Sequence, residues 1–236
     1  MPNCVIYQPA GMGDIFFLQK MVKHYESRGY TVTMPVLSHL VWLKDYLNAG
    51  IVDIQDEFPM KHRAGEHGVI TEGDDIYIST HTADLTHNDG RIMTSKYSMV
   101  GLDSSDWANF FSFYRDYGME QRLYDVLGFE EDSRYIVSSS FCGTPPGHSD
   151  FGNIPINNPD NLPVVRMGLL DGFNLFDWCK VLENAERIFI VNTSTNYILE
   201  KLELKAKEYV IYSKNPNNHY QVETLFKNQD ALICLG

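Results

Sequence analysis

The sequence predicts an α/β protein made of two halves, each a doubly wound parallel sheet with helices on its faces. Short apolar runs alternate with segments that have helical hydrophobic spacing along the whole chain. This alternation restarts after Gly128, with a new apolar run at 135–140. Strands that alternate with helices favour parallel pairing. We therefore predict an N-terminal domain of residues 1–130 and a C-terminal domain of residues 131–236.

The first half is predicted to hold four strands separated by helices. Its predicted strands are 3–8, 30–34, 51–54 and 75–79, and its predicted helices are 14–28, 38–48, 93–100 and 106–127, the last with a break expected at Gly118. Gly29 and Gly50 follow the first two helices, where glycine commonly ends a helix. The polar segments 56–74 and 82–92 are expected to be loops.

The second half repeats the pattern with a longer irregular stretch. Its predicted strands are 135–140, 162–167, 187–191 and 209–212, and its predicted helices are 174–185, 196–204 and a final one before the run 231–235. The Pro- and Gly-rich segment 142–161 is expected to be irregular. Pro163 indicates either that its strand lies at a sheet edge or that Pro163 is near the first residue of the strand, because proline cannot donate a ladder hydrogen bond.

Composition and charge restrict the classes of partner and the cellular location. The 236 residues carry a formal net charge of −12 without a basic patch, which argues against nucleic acid as a partner. No apolar stretch approaches the roughly 20 residues of a membrane helix, and the first residues do not resemble a secretory signal. We expect a cytoplasmic protein without an integral membrane segment. The four cysteines show no CxxC spacing and are expected to be reduced.

The turn between the first predicted strand and helix is the first candidate site. Gly11 and Gly13 allow a tight turn there, and Asp14 stands where the helix would begin. Phe16 occupies the place of the third glycine of a dinucleotide fingerprint, so binding of NAD is not indicated. Asp14 either caps the helix or acts as a general base at the carboxyl end of a strand.

A second candidate site is the polar run between strand 187–191 and the next helix. Asn192, Thr193, Ser194 and Thr195 combine hydroxyl groups with the positive end of a helix, a combination that suits a phosphate. Helix capping is the alternative, because Ser and Thr are favoured at such positions in any case.

Further polar residues end other strands of the same half. Ser138, Ser139 and Ser140 close strand 135–140, and Arg166 and Lys214 lie at the ends of later strands. In a parallel sheet these strand ends share one edge, where the two basic side chains could neutralise a diphosphate. A polar strand exit for the serines, and surface solvation for the basic residues, remain the alternatives.

The histidines offer no recognisable metal site. His62, His67, His81, His87 and His148 lack the HxxxH or HExxH spacing of a helical zinc site, and we expect no metal. His81 follows the strand 75–79, so it either faces the acceptor of a reaction or is an ordinary loop histidine.

These motifs together resemble the heptosyltransferase-like glycosyltransferases, in which two Rossmann-like domains face each other across a cleft in the GT-B arrangement. In that family the first strand ends in a Gly-Asp turn, as at Gly13-Asp14, and a C-terminal strand ends in an Asp-Thr-Gly-type motif, whose place Asn192–Ser194 takes. Ser138–Ser140 stand where the family begins its donor domain. Asn192 replaces the family's acid, and the chain is short for the family.

The resemblance implies a metal-independent glycosyltransferase without a cofactor. Asp14 would be the catalytic base, with Gly11, Gly13 and His81 on the acceptor side. Thr193–Thr195 would hold the diphosphate of a nucleotide-sugar donor, and the acceptor would be a glycan or a lipid-linked glycan. Two alternatives stay open: a nucleotide-sugar epimerase or hydrolase that uses His81, and a non-catalytic module that binds a nucleotide or a glycan.

Overall fold

A computed structural model describes residues 1–81, 92–142, 149–150, 153–213, 222–227 and 232–235. The chain divides into unit 1, Met1–Tyr114, and unit 2, Arg115–Gly236. The division falls before the helix Tyr117–Val126, whereas the sequence placed it near residue 130. This helix belongs to unit 2 because it packs against the helix Cys179–Asn184.

Unit 1 contains a five-stranded sheet in the order β3-β2-β1-β5-β4. Its strands are β1 (Asn3–Tyr7), β2 (Thr31–Val36), β3 (Ile51–Asp53), β4 (Gly68–Glu72) and β5 (Asp75–Ser79). Strands β2, β1 and β5 are parallel neighbours, and β3 pairs in parallel with β2. The chain leaves β1 towards β2 on one side and returns to β5 on the other, so the strand order reverses between β1 and β5. Such a switch point is where open α/β sheets bind ligands.

Strand β4 corrects the prediction that residues 56–74 form a loop. It pairs antiparallel with β5, from Gly68 opposite Ser79 to Glu72 opposite Asp75. The two-residue connection Gly73-Asp74, with Gly73 at φ +60°, makes a tight hairpin. The β-branched run before a Gly-Asp pair is a hairpin signal. The sheet of unit 1 is therefore mixed rather than wholly parallel.

The helices of unit 1 lie close to the predicted ones but differ in type. They are α1 (Met12–Phe17), α2 (Gln19–Glu26), a 3-10 helix at Ser38–Asp45, a 3-10 turn at Lys61–Arg63, α3 (Ile92–Ser98) and a 3-10 turn at Trp107–Asn109. The break between α1 and α2 is the single residue Leu18, through which the hydrogen bonds Leu18 N to Asp14 O and Val22 N to Leu18 O continue.

The predicted helix 106–127 is wrong in its first half. Only the turn Trp107–Asn109 is helical before residue 117, and α4 (Tyr117–Val126) starts afresh. The Asp116 side chain caps α4 by accepting a hydrogen bond from the Met119 N–H, at 3.0 Å. Two of the aromatic residues before it are used for packing: Phe111 is buried and stacks on Phe16, and Trp107 is buried and lies tilted against Phe17.

Unit 2 contains a five-stranded parallel sheet in the order β12-β11-β10-β6-β9. Its strands are β6 (Ile136–Ser139), β9 (Val164–Arg166), β10 (Arg187–Val191), β11 (Glu208–Ser213) and β12 (Leu232–Leu235). Strand β9 is an edge strand and begins directly after Pro163, in agreement with the two alternatives that Pro163 left open. In chain order the sheet reads 2-1-3-4-5, an order used by flavodoxin-like sheets, and its switch point lies between β6 and β10.

The remaining elements of unit 2 are its helices and a short pair of strands, which differ in detail from the predicted ones. Its helices after α4 are a 3-10 turn at Phe176–Trp178, α5 (Cys179–Asn184), α6 (Ser194–Leu199) and a turn at 222–225. A short antiparallel pair, β7 (Phe141–Cys142) and β8 (Ser149–Asp150), begins one residue before the segment 142–161 and extends into it. A core of Ile136, Phe189, Val191, Val210 and Tyr212 fills one face of the sheet.

Both units are thus mixed α/β structures built on parallel strands. No helix in the described part of the chain has the length and apolar character needed to cross a membrane.

Candidate active site

Asp14 lies just beyond the carboxyl end of β1, in the first turn of α1. Gly11 occupies the N-cap position at φ +86°, and no side chain of the described residues caps the helix. A Cβ at Gly11 would lie 2.2 Å from Oδ2 of Asp14, so this turn accommodates the carboxylate only with glycine. Of the two alternatives for Asp14, capping is not observed, and its carboxylate is available for another role.

The carboxylate of Asp14 forms an ion pair with the ammonium group of Lys96, on α3. The Lys96 side chain is only 4% exposed, whereas 28% of the Asp14 side chain stays accessible. A buried ammonium group without a counter-charge would be costly, so the pair fixes the position of both groups. Asp14 therefore presents a partly accessible carboxylate backed by a buried cation.

Two neutral side chains complete this arrangement. The Gln8 Oε1 atom accepts hydrogen bonds from Lys96 Nζ at 2.7 Å and from Thr80 Oγ1 at 2.8 Å, while Gln8 Nε2 donates to the Ala10 carbonyl oxygen. Gln8 and Thr80 are each only 1% exposed. We refer to Gln8, Asp14, Thr80 and Lys96 as the Asp14 cluster.

The sheet explains why these residues meet. Gln8 follows β1 and Thr80 follows β5, and the two strands run side by side with Tyr7 opposite Ser79. The Thr80 N–H donates to the Tyr7 carbonyl oxygen at 3.1 Å, which extends the pairing to the cluster. The Asp14 cluster therefore occupies the switch point of the unit 1 sheet.

Of the predicted acceptor-side residues, Gly11 shapes the turn that holds Asp14, and His81 follows Thr80 with an exposed side chain. Gly13 lies within α1. Sequence reasoning missed Gln8, Thr80 and Lys96. Lys96 gives a usable signal, because it stands between the buried residues Met93 and Tyr97 on the apolar face of α3, where lysine is rarely found without a partner.

In unit 2 the predicted polar strand ends come together. Ser139 on β6 lies opposite Ile190 on β10, so the segments 138–140 and 192–195 leave neighbouring strands at the same edge. We call these two segments the unit 2 switch point. Arg166 ends the next strand, with Ser138 opposite it, and its side chain is exposed. Lys214 lies outside the described residues.

The start of α6 shows that capping accounts for part of this polar run. Thr193 is the N-cap and accepts a hydrogen bond from Thr195 N–H at 3.3 Å, while Asn196 Oδ1 accepts from Thr193 N–H at 2.7 Å. This is a capping box, and Asn196, which the sequence analysis did not single out, is its second half. The Thr195 side chain is buried, and Ser194 keeps a partly exposed one.

Other features of the structure do not extend the site. An open groove of about 370 Å³ in unit 1 is lined by residues 44–48 and 112–114, and no predicted site residue lines it. Within the described ranges, no group of three or more His, Cys, Asp or Glu side chains is placed to hold a metal ion. His62 instead contacts Glu72, and its Nε2 lies 3.1 Å from each of the two carboxylate oxygens.

The chain was compared with protein families, curated proteins and solved structures. No protein family, curated protein or solved structure matches the chain. Any assignment of function therefore depends on the chemistry of the Asp14 cluster and of the unit 2 switch point.

Proposed function

We propose that this protein is a glycosyltransferase that moves a sugar from a nucleotide-activated donor to an acceptor hydroxyl without a metal ion. The main support is the Asp14 carboxylate, which a buried lysine holds at the switch point of a parallel sheet while 28% of its side chain remains accessible. A carboxylate so placed is suited to take a proton from a bound hydroxyl group.

In the proposed reaction the acceptor hydroxyl gives its proton to Asp14. The acceptor oxygen forms a bond to the anomeric carbon of the donor, and the bond between that carbon and the diphosphate oxygen breaks. The electron pair leaves with the nucleoside diphosphate. A single displacement of this kind inverts the anomeric configuration.

Unit 2 would hold the donor by its diphosphate. Ser138–Ser140 and Asn192–Thr195 supply hydroxyl and amide groups at one sheet edge, and Arg166 adds an exposed positive charge there. The capping box occupies Thr193, so we assign the larger share of the phosphate contacts to Ser194 and to the serines of β6. The proposed arrangement is of the heptosyltransferase-like GT-B kind, and the proposed site of action is the cytoplasm.

The test measures transfer and binding separately. UDP-glucose, GDP-mannose and ADP-glucose are offered as donors with p-nitrophenyl glycosides as acceptors, and products are detected by mass spectrometry. Calorimetry measures binding of UDP, GDP and ADP. We expect Asp14→Asn to lower kcat by about 10²–10⁴-fold while nucleotide binding is retained. Asp45→Asn makes the same chemical change at an exposed position of unit 1 and should leave transfer unchanged.

Three other results would contradict the proposal in different ways. Full transfer by Asp14→Asn would remove Asp14 from the reaction. Nucleotide binding without transfer in the parent protein would favour a non-catalytic binding module. Release of free sugar or of an epimer in place of transfer would favour a hydrolase or an epimerase, in which His81 becomes the residue to test.

A further inference from the structure

We propose that Lys96 is a positioning residue for Asp14, an inference that depends on the proposed transferase reaction. Lys96 is too deeply buried to reach a substrate, since its side chain is 4% exposed. Its ammonium group reaches Oδ1 of Asp14 and Oε1 of Gln8. Lys96 thus acts on the reaction through the orientation of the carboxylate.

The geometry fixes both oxygens of Asp14. Oδ1 is engaged by Lys96, and Oδ2 lies beside Gly11, at the place a Cβ of that residue would fill. The carboxylate therefore cannot rotate freely without breaking the ion pair or moving the turn. Oδ2 is the oxygen left to receive the proton of the acceptor hydroxyl.

Lys96 is itself held in place by groups that belong to the sheet. Gln8 Oε1 accepts from both Lys96 and Thr80, and Gln8 also donates to the Ala10 carbonyl oxygen. These contacts join the ends of β1 and β5 to α3. The direction of the Asp14 carboxylate is thereby set by the rigid part of unit 1, which is the kind of support a precise reacting group needs.

Loss of an ion pair that is merely structural should lower stability without a specific effect on kcat. The chain offers a matched control for this case. Lys20, on α2, forms an ion pair with Asp106, and its side chain is 13% exposed. Lys20→Met removes a second Lys–Asp pair of the same unit, with a largely buried lysine and a 43% exposed aspartate, without touching the Asp14 cluster. Both Lys20→Met and Lys96→Met should lower stability, but only the second should lower kcat.

The experiment combines kinetics with a readout that needs no substrate. Misplacement of a reacting group by about 1 Å costs on the order of 10²-fold in rate, so we expect kcat of Lys96→Met to fall by about that factor. The donor KM should stay within about twofold, because the donor is assigned to unit 2. Lys96→Arg keeps the charge and should recover part of kcat. The ¹³Cγ resonance of Asp14, assigned by its loss in Asp14→Asn, should move in Lys96→Met and stay in Lys20→Met.

The NMR arm separates this inference from the proposed function. If the parent protein transfers no sugar but the Asp14 resonance responds to Lys96→Met, the transferase proposal fails and the control of Asp14 by Lys96 is supported. An unchanged resonance, or a kcat of Lys96→Met equal to that of Lys20→Met, would overturn the positioning role. Should Lys96→Met not fold, Gln8→Met removes the second acceptor of Lys96, and the same comparison is made with that variant.

Discussion

Lys96 and Asp14 are 82 positions apart in the sequence, yet their side chains form an ion pair at the end of the central strand of unit 1. The pair forms because Lys96 on α3 lies next to the carboxyl ends of β1 and β5. The ion pair holds the Asp14 carboxylate, in the first turn of α1, in a fixed orientation. The turn at Gly11 also supports this direction, because Oδ2 of Asp14 lies beside it.

Gly11→Ala should destabilise the protein by more than its backbone strain alone. The left-handed conformation of Gly11, at φ +86°, costs an L-residue about 1–2 kcal/mol. The added Cβ would also lie 2.2 Å from Oδ2 of Asp14, so the carboxylate must move. Urea denaturation measures the free energy of unfolding of the variant.

Gly29→Ala is the control for that measurement. Gly29 has nearly the same backbone angle, φ +85°, and a Cβ there would meet nothing within 4 Å. It should show the backbone cost by itself. Equal losses in the two variants would mean that the Asp14 carboxylate does not occupy the space beside Gly11.

Arg115→Met should strongly destabilise unit 2. The guanidinium group of Arg115 makes paired hydrogen bonds to Glu120 and to Glu183, and Glu120 is only 1% exposed. These two carboxylates raise the pKa of Arg115, so it stays charged. Its removal leaves a buried carboxylate without a counter-charge, which costs about 3–5 kcal/mol.

The measurement is chemical denaturation followed by a probe in unit 2, such as Trp178 fluorescence. Arg122→Met serves as the comparison, because Arg122 is an exposed residue of α4, the helix that carries Glu120, and should change stability by less than about 0.5 kcal/mol. A loss in Arg115→Met as small as that of Arg122→Met would show that the four hydrogen bonds do not persist in solution.

Substitutions at Thr193 and Ser194 should distinguish the contribution of helix capping to stability from the contribution of a hydroxyl group to ligand binding. Thr193→Ala removes the N-cap of α6 and should cost about 1 kcal/mol, while Thr193→Ser keeps the acceptor oxygen and should be near neutral. Ser194→Ala removes a hydroxyl that does not cap the helix, so stability should hold. Under the proposed function, it should weaken UDP binding measured by calorimetry. Unchanged UDP binding in Ser194→Ala would remove Ser194 from the donor site.

The sequence predicted strand ends better than it predicted which side chains meet there. The apolar runs located β1, β6 and β10, and parallel pairing brought 138–140 beside 192–195 as expected. The partners of Asp14 could not be predicted, because the contact of Lys96 with Asp14 depends on how α3 packs. Strand β4 was missed because its alternating, half-exposed pattern is weak, although the Gly73-Asp74 turn marks it.

Asp177 provides a prediction about pH. Its side chain is buried, with 1% of the residue exposed, in the helical segment that leads into α5. Its Oδ2 accepts a hydrogen bond from Asn174 N–H at 2.8 Å. Its Oδ1 has no hydrogen-bond partner among the described residues. Burial raises the pKa of Asp177, and the nearby charge of Asp116 adds to the increase. The folded state therefore binds the proton of Asp177 more tightly than the unfolded state does.

The sign of the effect follows from this difference. Stability falls as the pH rises from the ordinary pKa of an aspartate through the raised pKa of Asp177. Asp177→Asn keeps an oxygen for the Asn174 N–H and removes the charge, so its melting temperature should exceed that of the parent protein at pH 7. The difference should shrink as the pH is lowered to about 3, where the parent carboxyl group is protonated. Asp171→Asn changes an exposed aspartate of the same segment and should show no such trend. A lower melting temperature for Asp177→Asn at pH 7 would mean that the carboxylate has a partner that offsets its burial.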